Sequence, residues 1–99
     1  MASAAGAAGL GKLVVLSAMG EPFKAEIDLL SHQDEWAALQ PRLALPADYK
    51  LADFRYSPAL AGAQLQIRKH PNGRNYIAVS TTRRVNEPYV SLLVELDLN

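Results

Sequence analysis

Cysteine is absent from this chain of 99 residues. Its absence excludes disulfides, thiolate metal sites and a cysteine nucleophile, but it does not identify a compartment, because such a chain suits reducing and oxidising surroundings equally. Long apolar runs are also missing, since none approaches the roughly 20 residues that a membrane-spanning helix needs. We therefore expect no direct insertion of this segment into a membrane.

A net charge is missing as well, because ten basic residues balance ten acidic ones. A neutral chain has no overall field that would attract phosphate backbones or an anionic membrane surface. The adjacent basic pairs, Arg68-Lys69 and Arg83-Arg84, are not interleaved with aromatic residues that could stack on bases. We interpret them as solvated charges at strand ends and expect no nucleic-acid partner.

Residue patterns that carry catalysis are scarce. The two histidines, His32 and His70, have no partner at a metal-binding spacing, and we interpret both as exposed turn residues. No serine lies in a GxSxG motif, and the glycines do not form a phosphate-binding loop before a helix. The sequence therefore predicts no catalytic, metal-binding or cofactor-binding residues, no cofactor, and a protein that is not an enzyme.

The composition that remains is typical of a folded domain, with 49% hydrophobic and 20% charged residues. We predict one domain over residues 10–99. Residues 1–9, MASAAGAAG, have the small side chains found around a signal-peptide cleavage site but lack a charged start and an apolar middle. They are interpreted as an added expression start followed by a cleavage remnant, and they are expected to be disordered.

Two strands are predicted near the start of the domain. Residues 12–17 form a β-branched and nearly continuous apolar run, which favours a strand covered on both faces. Residues 23–29 alternate strictly between apolar and charged side chains, which indicates a half-buried strand. Between them, Gly20 can adopt a positive φ and Pro22 can open the second strand, so this segment is predicted to be a turn.

Helical structure is expected in two places. Ser31, followed by Asp34, resembles a capping box and predicts a short helix over residues 32–40, with Trp36, Leu39 and Leu43 on its apolar stripe. A helical turn is predicted near residues 47–51, and irregular chain is predicted up to residue 62. The aromatic residues of this second segment are expected to close one end of the core.

The second half of the chain predicts a hairpin and a long strand. Residues 63–69 and 75–81 alternate, and the intervening HPNGR places Pro71 for a type I turn and Gly73 for a left-handed conformation. Residues 89–98 alternate again and form the longest predicted strand. Five strands without a βαβ rhythm predict a mainly β fold, a small antiparallel β-sandwich, Ig-like or barrel-like, with one short α-helix packed on it.

Several segments match the motifs of one known family. They are residues 9–11 (Gly-Leu-Gly), the turn with Gly20 and Pro22, residues 25–27, the hairpin with Gly73 and Tyr76, residues 86–88 (Asn-Glu-Pro) and residues 92–96. In this order, over residues 9–97, they resemble the N-terminal periplasmic domain of the FimV family, which includes TspA and HubP. The departures are Glu21 where glutamine is usual, Tyr89 for phenylalanine, and Arg84 where proline is common.

The resemblance implies a non-catalytic periplasmic scaffold or interaction domain of an inner-membrane parent in a Gram-negative bacterium. Such a parent would act in type IV pilus assembly, twitching motility or cell-pole organisation, with protein partners in the pilus or secretin machinery and with peptidoglycan contacts through its other domains. Family members usually continue with one further strand. We therefore expect residues 90–98 to have an open edge that favours a strand-exchanged dimer.

Two sets of site residues are predicted. The interface candidates are Arg83, Arg84, Tyr89, Leu93 and Glu95. The residues of the family motifs that we expect to be structural are Gly20, Pro22, Gly73, Glu87 and Pro88, and Glu87 is expected to bond the amides of a neighbouring turn. The alternative function is a peptidoglycan- or carbohydrate-binding module, in which Trp36, Tyr49, Tyr56 or Tyr76 would stack on sugar rings.

Overall fold

The computed structural model describes residues 2–6, 10–30 and 39–98 of the chain. Seven strands lie in these ranges, together with the helix α1 (Pro46–Leu51) and a 3₁₀ helix (Pro58–Leu60). The strands are β1 (Ala2–Gly6), β2 (Leu10–Val15), β3 (Pro22–Leu29), β4 (Leu39–Leu43), β5 (Gln64–Lys69), β6 (Asn75–Arg84) and β7 (Val90–Leu98).

The strands form two sheets. The large sheet has the order β2-β3-β6-β5 with antiparallel pairs throughout, and the small sheet has the order β1-β7-β4. In the small sheet β4 pairs with β7 antiparallel, whereas β1 pairs with β7 parallel. The prediction of a mainly β, sandwich-like fold with one short helix is confirmed, and the β1–β7 pair is the exception to its antiparallel pattern.

The core lies between the two sheets and follows from strand alternation. Side chains of β3, β5 and β6 meet side chains of β7, with Leu60 and Val85 closing the cluster. Ile27, Ile77 and Val94 have no exposed surface. Fully burying an aliphatic side chain contributes about 1.5–3 kcal/mol. The predicted alternation in β3, in the β5–β6 hairpin and in β7 is therefore confirmed by which side chains are buried.

The β5–β6 hairpin has the predicted turn. The Gly73 amide donates to the His70 carbonyl at 2.9 Å, and the His70 amide donates to the Arg74 carbonyl at 2.9 Å. The φ of Gly73 is 88°, a left-handed value, and the Asn72 side chain accepts the Arg74 amide at 2.9 Å. A type I turn followed by a left-handed glycine matches the right-handed twist of the two strands, which sets their register.

The first predicted strand is wrong in one respect. Among the described strands β2 pairs with β3 alone, and Val14, Val15 and Leu16 are 38%, 42% and 58% exposed. A continuous apolar run is typical of a strand buried on both faces, but it does not report whether a strand lies at the edge of its sheet. β2 is an edge strand, and this position leaves its apolar side chains partly exposed to water.

The helix predicted over residues 32–40 lies mostly outside the described residues, and its last two residues, Leu39 and Gln40, belong to β4. The sequence LQPRL also alternates with period two, since Leu39, Pro41 and Leu43 are more buried than Gln40 and Arg42. Pro41 is tolerated because β4 is an edge strand, where a missing amide donor costs little. The predicted helical turn near residues 47–51 is confirmed as α1.

The expected open edge along β7 is also wrong. β7 is the central strand of the small sheet, because β1 pairs with residues 90–94 on one side and β4 pairs with residues 94–98 on the other. Ala2–Gly6 therefore forms a strand, which corrects the expected disorder for these five residues. The strand-exchanged dimer was predicted from this open edge. It no longer has that support and stays a prediction.

Tyr49 extends the hydrogen bonding of the small sheet beyond the end of β4. Its hydroxyl donates to the Ser91 carbonyl at 2.8 Å and accepts the Leu93 amide at 2.9 Å. The Ala44 amide donates to the Leu93 carbonyl at 2.8 Å, so the edge of β7 is occupied without a break. The Tyr49 side chain has no exposed surface, and its ring meets Tyr56 edge-on at 5.1 Å. Tyr49 is therefore buried beside β7, and the expectation that the aromatic residues of this segment close one end of the core stays a prediction.

No helix in the described ranges is long and apolar enough to cross a membrane.

We expect Tyr49→Phe to lower the free energy of unfolding by about 1–3 kcal/mol, because two buried backbone groups lose their partner while the ring is kept. Urea unfolding followed by circular dichroism measures the loss. Tyr89→Phe is the matched control, since Tyr89 is 69% exposed. Equal stability of the two variants would contradict the role given to the Tyr49 hydroxyl.

The same hydroxyl predicts a pH dependence. Burial, as the largest cause, raises the pKa of Tyr49 above its ordinary value of 10.0, although the Leu93 amide acts in the opposite direction. A folded pKa above the unfolded one stabilises the fold below the unfolded pKa, and this stabilisation is lost as the pH rises through the folded pKa. The stability difference between the wild type and Tyr49→Phe should therefore shrink above pH 10, as measured by urea unfolding at pH 8 and above pH 10. A stability difference that is the same at both pH values would contradict this prediction.

Gly73→Ala is expected to destabilise the hairpin by about 1–2 kcal/mol, the cost of a left-handed conformation for an ordinary residue. A Cβ at Gly73 would meet no atom within 4 Å, so crowding contributes nothing. Gly73→Asn should cost less, because asparagine tolerates this conformation. Thermal unfolding of both variants measures the order, and an asparagine variant as unstable as the alanine variant would be inconsistent with backbone strain.

Candidate functional site

Two of the motif segments noted in the sequence meet at one end of the sandwich. The Gly20 amide donates to the Val85 carbonyl at 2.9 Å, and the Val85 amide donates to the Glu21 carbonyl at 3.1 Å. These two bonds join the turn between β2 and β3 to the loop between β6 and β7. The motif residues Gly20, Pro22, Glu87 and Pro88 therefore lie at the same end of the fold.

The turn between β2 and β3 is shaped by Gly20 and Glu21. Gly20 has a φ of 87°, a left-handed value that favours glycine, and a Cβ there would make an ordinary contact with Asn86 Oδ1 at 3.4 Å. The Glu21 carboxylate accepts the Ala18 amide at 2.7 Å, which closes the turn on itself. The Glu21 side chain thus bonds a turn amide, which is the role that the sequence had suggested for Glu87.

A register shift next to this turn is filled by Thr81. Pro22 pairs with Arg84 and Lys24 pairs with Ser80, so β6 has extra residues opposite Phe23. The Thr81 hydroxyl accepts the Phe23 amide at 2.9 Å and donates to the Arg83 carbonyl at 2.8 Å. This bulge lets β6 leave the ladder and lead into the loop that packs on the turn.

Between the turn and the loop lies a cavity of about 170 Å³, here called the end pocket. It is the open end of the space between the two sheets. Its walls are mainly apolar, with two carboxylates, and no lysine or arginine lines it. The lining residues are Val15, Ser17, Ala18, Met19, Glu21, Phe23, Val85, Glu87, Pro88 and Val90.

Glu87 is the most unusual residue of the end pocket. Its Oε1 accepts the Ser57 hydroxyl at 2.7 Å, and Ser57 is itself buried. Its Oε2 is buried and has no hydrogen-bond partner within the described part of the chain. A buried carboxylate oxygen without a donor is energetically costly, so it marks a place where a donor would be bound favourably. Within residues 2–6, 10–30 and 39–98, Glu87 makes none of the predicted bonds to turn amides, and it accepts instead the hydroxyl of Ser57, the residue before the 3₁₀ helix.

The rim of the end pocket exposes apolar side chains. Met19, which also lines the pocket, is 64% exposed, and Tyr89, which lies between the lining residues Pro88 and Val90, is 69% exposed. Val15 on β2 has a side chain in the pocket wall. β2 is also the last strand of the large sheet, and no described strand pairs with its other edge. The apolar rim, the acidic lining and the free edge of β2 therefore lie next to one another.

The five predicted interface residues do not form one surface. Arg83, Arg84 and Tyr89 are exposed near the end pocket, in β6 and in the loop after it. Leu93 and Glu95 lie on β7 and are half-buried, and Glu95 forms an ion pair with Arg42 of β4 rather than being fully solvated. Sequence spacing alone could not show this separation, because it depends on where β7 lies in its sheet.

The remaining motif residue, Gly73, lies at the opposite end of the large sheet. β3 and β6 are antiparallel with Pro22 opposite Arg84 and Asp28 opposite Tyr76, so the β5–β6 turn is distant from the end pocket. Gly73 serves the hairpin. His70 is in this turn as predicted, but it is half-buried, stacks on Tyr76 at 3.9 Å and has its Nε2 3.9 Å from Glu26 Oε1.

The three described tyrosines among the residues proposed for glycan stacking are not arranged as a platform. The Tyr49 ring is fully buried, and one face of the Tyr76 ring is covered by His70. Tyr56 is half-buried against Tyr49, and Trp36 lies outside the described residues. Stacking on a sugar needs an exposed ring face, so no contact in the described chain specifically favours the glycan alternative.

Sequence reasoning did not identify Ser57, Thr81 or the apolar residues of the end pocket as a group. Ser57 and Glu87 are 30 residues apart, and Thr81 bonds a residue 58 positions away, so no local pattern relates them. Within residues 2–6, 10–30 and 39–98, no three histidine or acidic side chains are close enough to hold a metal ion. The end pocket is therefore described by its shape and by the charges of its lining.

Comparison with known proteins agrees with the motif pattern. The sequence profile of the FimV N-terminal Ig-like domain matches residues 8–99. The proteins named motility hub protein FimV from two strains of Pseudomonas aeruginosa are each 32% identical over 98 residues, covering 89% of this chain and 10% of the relative. The chain thus spans about a tenth of the length of these relatives.

No solved structure matches the chain significantly. The profile match covers nearly all of the chain, including both segments that enclose the end pocket. On this evidence from sequence and fold together, the chain belongs to the FimV N-terminal Ig-like domain family.

Proposed function

We propose that this chain is a non-catalytic protein-interaction domain through which a FimV-like parent organises the machinery of type IV pili. The observation that carries this proposal is the 32% identity, over 89% of the chain, to a protein named a motility hub. A hub acts by holding other proteins together. A domain of such a protein is expected to contribute contacts rather than chemistry.

The end pocket supports this proposal, because it combines features that recur in binding surfaces. Exposed apolar side chains such as Met19 and Tyr89 release water when a partner covers them. The loop from Val85 to Val90 is held by the backbone bonds to the turn and by the bond from Ser57 to Glu87. Fixing a surface before binding lowers the entropy that association costs.

The proposed compartment is the periplasm, with the domain as part of an inner-membrane-anchored parent. The resemblance to the FimV family supports it. The proposed partners are proteins of the pilus or secretin machinery, and peptidoglycan would be bound by other domains of the parent. Arg83, Arg84 and Tyr89 remain the candidate interface residues near the end pocket, and Leu93 and Glu95 would form a separate surface on the small sheet.

A domain exchange tests the function. In Pseudomonas aeruginosa, the region of the motility hub protein that aligns with this chain is deleted, or it is replaced by residues 8–99 of this chain. We expect the deletion to reduce the diameter of twitching zones by at least about half, because the hub would lose one set of contacts, and the replacement to restore part of the loss.

Parent levels are compared by immunoblot in all strains, so that loss of the protein is distinguished from loss of a contact. Normal twitching by a deletion strain with unchanged parent levels would rule out the proposed role. A pilus defect in the deletion strain that the replacement does not restore would indicate that this chain serves a different partner.

A further inference from the structure

We infer that the end pocket binds an arginine side chain presented by an extended segment of a partner protein, and that this segment pairs with the free edge of β2. This inference rests on the proposed function, because a peptide site has a role only in an interaction domain. The inference adds to the proposed function the location of the contact and the chemistry of the bound group.

The size and lining of the pocket suit an aliphatic stem. A cavity of about 150 Å³ lined by apolar side chains can hold a benzene molecule, and the end pocket measures about 170 Å³. Phe23, Val85 and Val90 form apolar walls and are each at most 7% exposed. Arginine buries the methylene groups of its stem along such walls while its charged head stays in contact with polar groups.

The charges of the pocket suit the head group. Among the described residues of the lining, the two ionisable ones are Glu21 and Glu87, and both are acidic. Each has one oxygen held by the protein, Glu21 by the Ala18 amide and Glu87 by the Ser57 hydroxyl. Glu87 Oε2 is the buried acceptor that the described chain leaves unpaired. The last torsion of a glutamate side chain has a broad energy profile, so the Glu87 carboxylate can rotate when a donor enters the pocket.

A guanidinium group fits two carboxylates better than an ammonium group does. It presents five N–H donors in a planar fork and can bond two acceptors at once. Hydrogen bonds to charged groups are stronger than those between neutral groups, so the charge of the head group adds affinity. Arg83 and Arg84 of this chain are near the end pocket but do not line it, so the acidic lining is open to a basic side chain from outside.

The backbone of β2 explains how the arginine would be delivered. The Leu16 amide donates to the Lys24 carbonyl at 2.8 Å, so the Leu16 amide faces β3, while the Lys24 amide donates to the Ser17 hydroxyl at 3.0 Å. Hydrogen-bonded and non-bonded pairs alternate along an antiparallel ladder, so the neighbouring Val15–Ala25 pair is non-bonded and the amide and carbonyl of Val15 point away from β3. Ala25 faces the core, and Val15 on the same face lines the end pocket. A strand added at this edge therefore runs beside the pocket.

The test uses the 99-residue chain and a pentapeptide, acetylated and amidated, of sequence Thr-Val-Arg-Val-Thr. Titration followed by ¹H–¹⁵N correlation spectra should shift the amides of Val15, Glu21 and Glu87 most strongly. The same peptide with citrulline, which keeps the shape of arginine without its charge, should bind at least about tenfold more weakly. A peptide with methylated backbone nitrogens should also bind more weakly, because it cannot donate to β2.

Matched variants show which carboxylates bind the arginine. Glu87→Gln and Glu21→Gln should each weaken binding of the arginine peptide by about tenfold. Glu26→Gln removes an acidic charge from β3, outside the end-pocket lining, and should leave binding unchanged. Thermal unfolding shows whether each variant is folded, and the citrulline comparison needs no variant. Equal binding of the arginine and citrulline peptides, or shifts spread evenly over the chain, would overturn the inference.

An experiment in cells separates this inference from the proposed function. Glu21→Gln and Glu87→Gln are introduced together into the domain-exchange strain. Twitching reduced to the level of the deletion strain supports the arginine site. Twitching equal to that of the unsubstituted domain-exchange strain, together with a defect in the deletion strain, overturns the site and leaves the interaction role standing.

Discussion

The inner face of β7, packed on the inner faces of β3 and β6, is the contact on which the rest of the domain depends. Leu92 and Val94 are buried against Ile27 and Ile77, and each such side chain contributes about 1.5–3 kcal/mol when it leaves water. β7 can fill this central position because both of its edges are occupied, by β1 and by β4 with the Tyr49 hydroxyl. Without these edge partners, its buried backbone groups would lack hydrogen bonds.

The two-layer arrangement also creates the end pocket. Two packed sheets leave an open margin where their strands end, and here the margin is bounded by a turn and a loop joined through Val85. The side chains at this margin are still those of the core, such as Phe23 and Val90, so the opening is apolar inside. Glu21 and Glu87 enter it from the turn and from the loop, and this explains why an apolar space carries an acidic lining.

The resemblance of the sequence to a family and the geometry of the fold support each other at this margin. The motif residues Gly20, Pro22, Glu87 and Pro88 are separated by more than 60 positions between the two segments, yet backbone bonds join those segments. Gly73 serves a different purpose at the far end of the large sheet, where it shapes a turn. Motif residues of one family therefore divide here into those that shape the end pocket and one that sets a strand register.

The sequence by itself determined the inward faces of β3, β6 and β7 and the turn at His70–Arg74, because side-chain alternation and turn conformation are properties of neighbouring residues. Only the tertiary structure decided that β2 lies at an edge, that LQPRL is a strand, and that β7 is central, because these depend on which segments pair at long range. The meeting of Ser57 with Glu87 and of Thr81 with Phe23 was decided in the same way. Hydrogen bonds between residues 30 or more positions apart leave no periodic trace in a single chain, since each partner is placed by the packing of the whole sandwich.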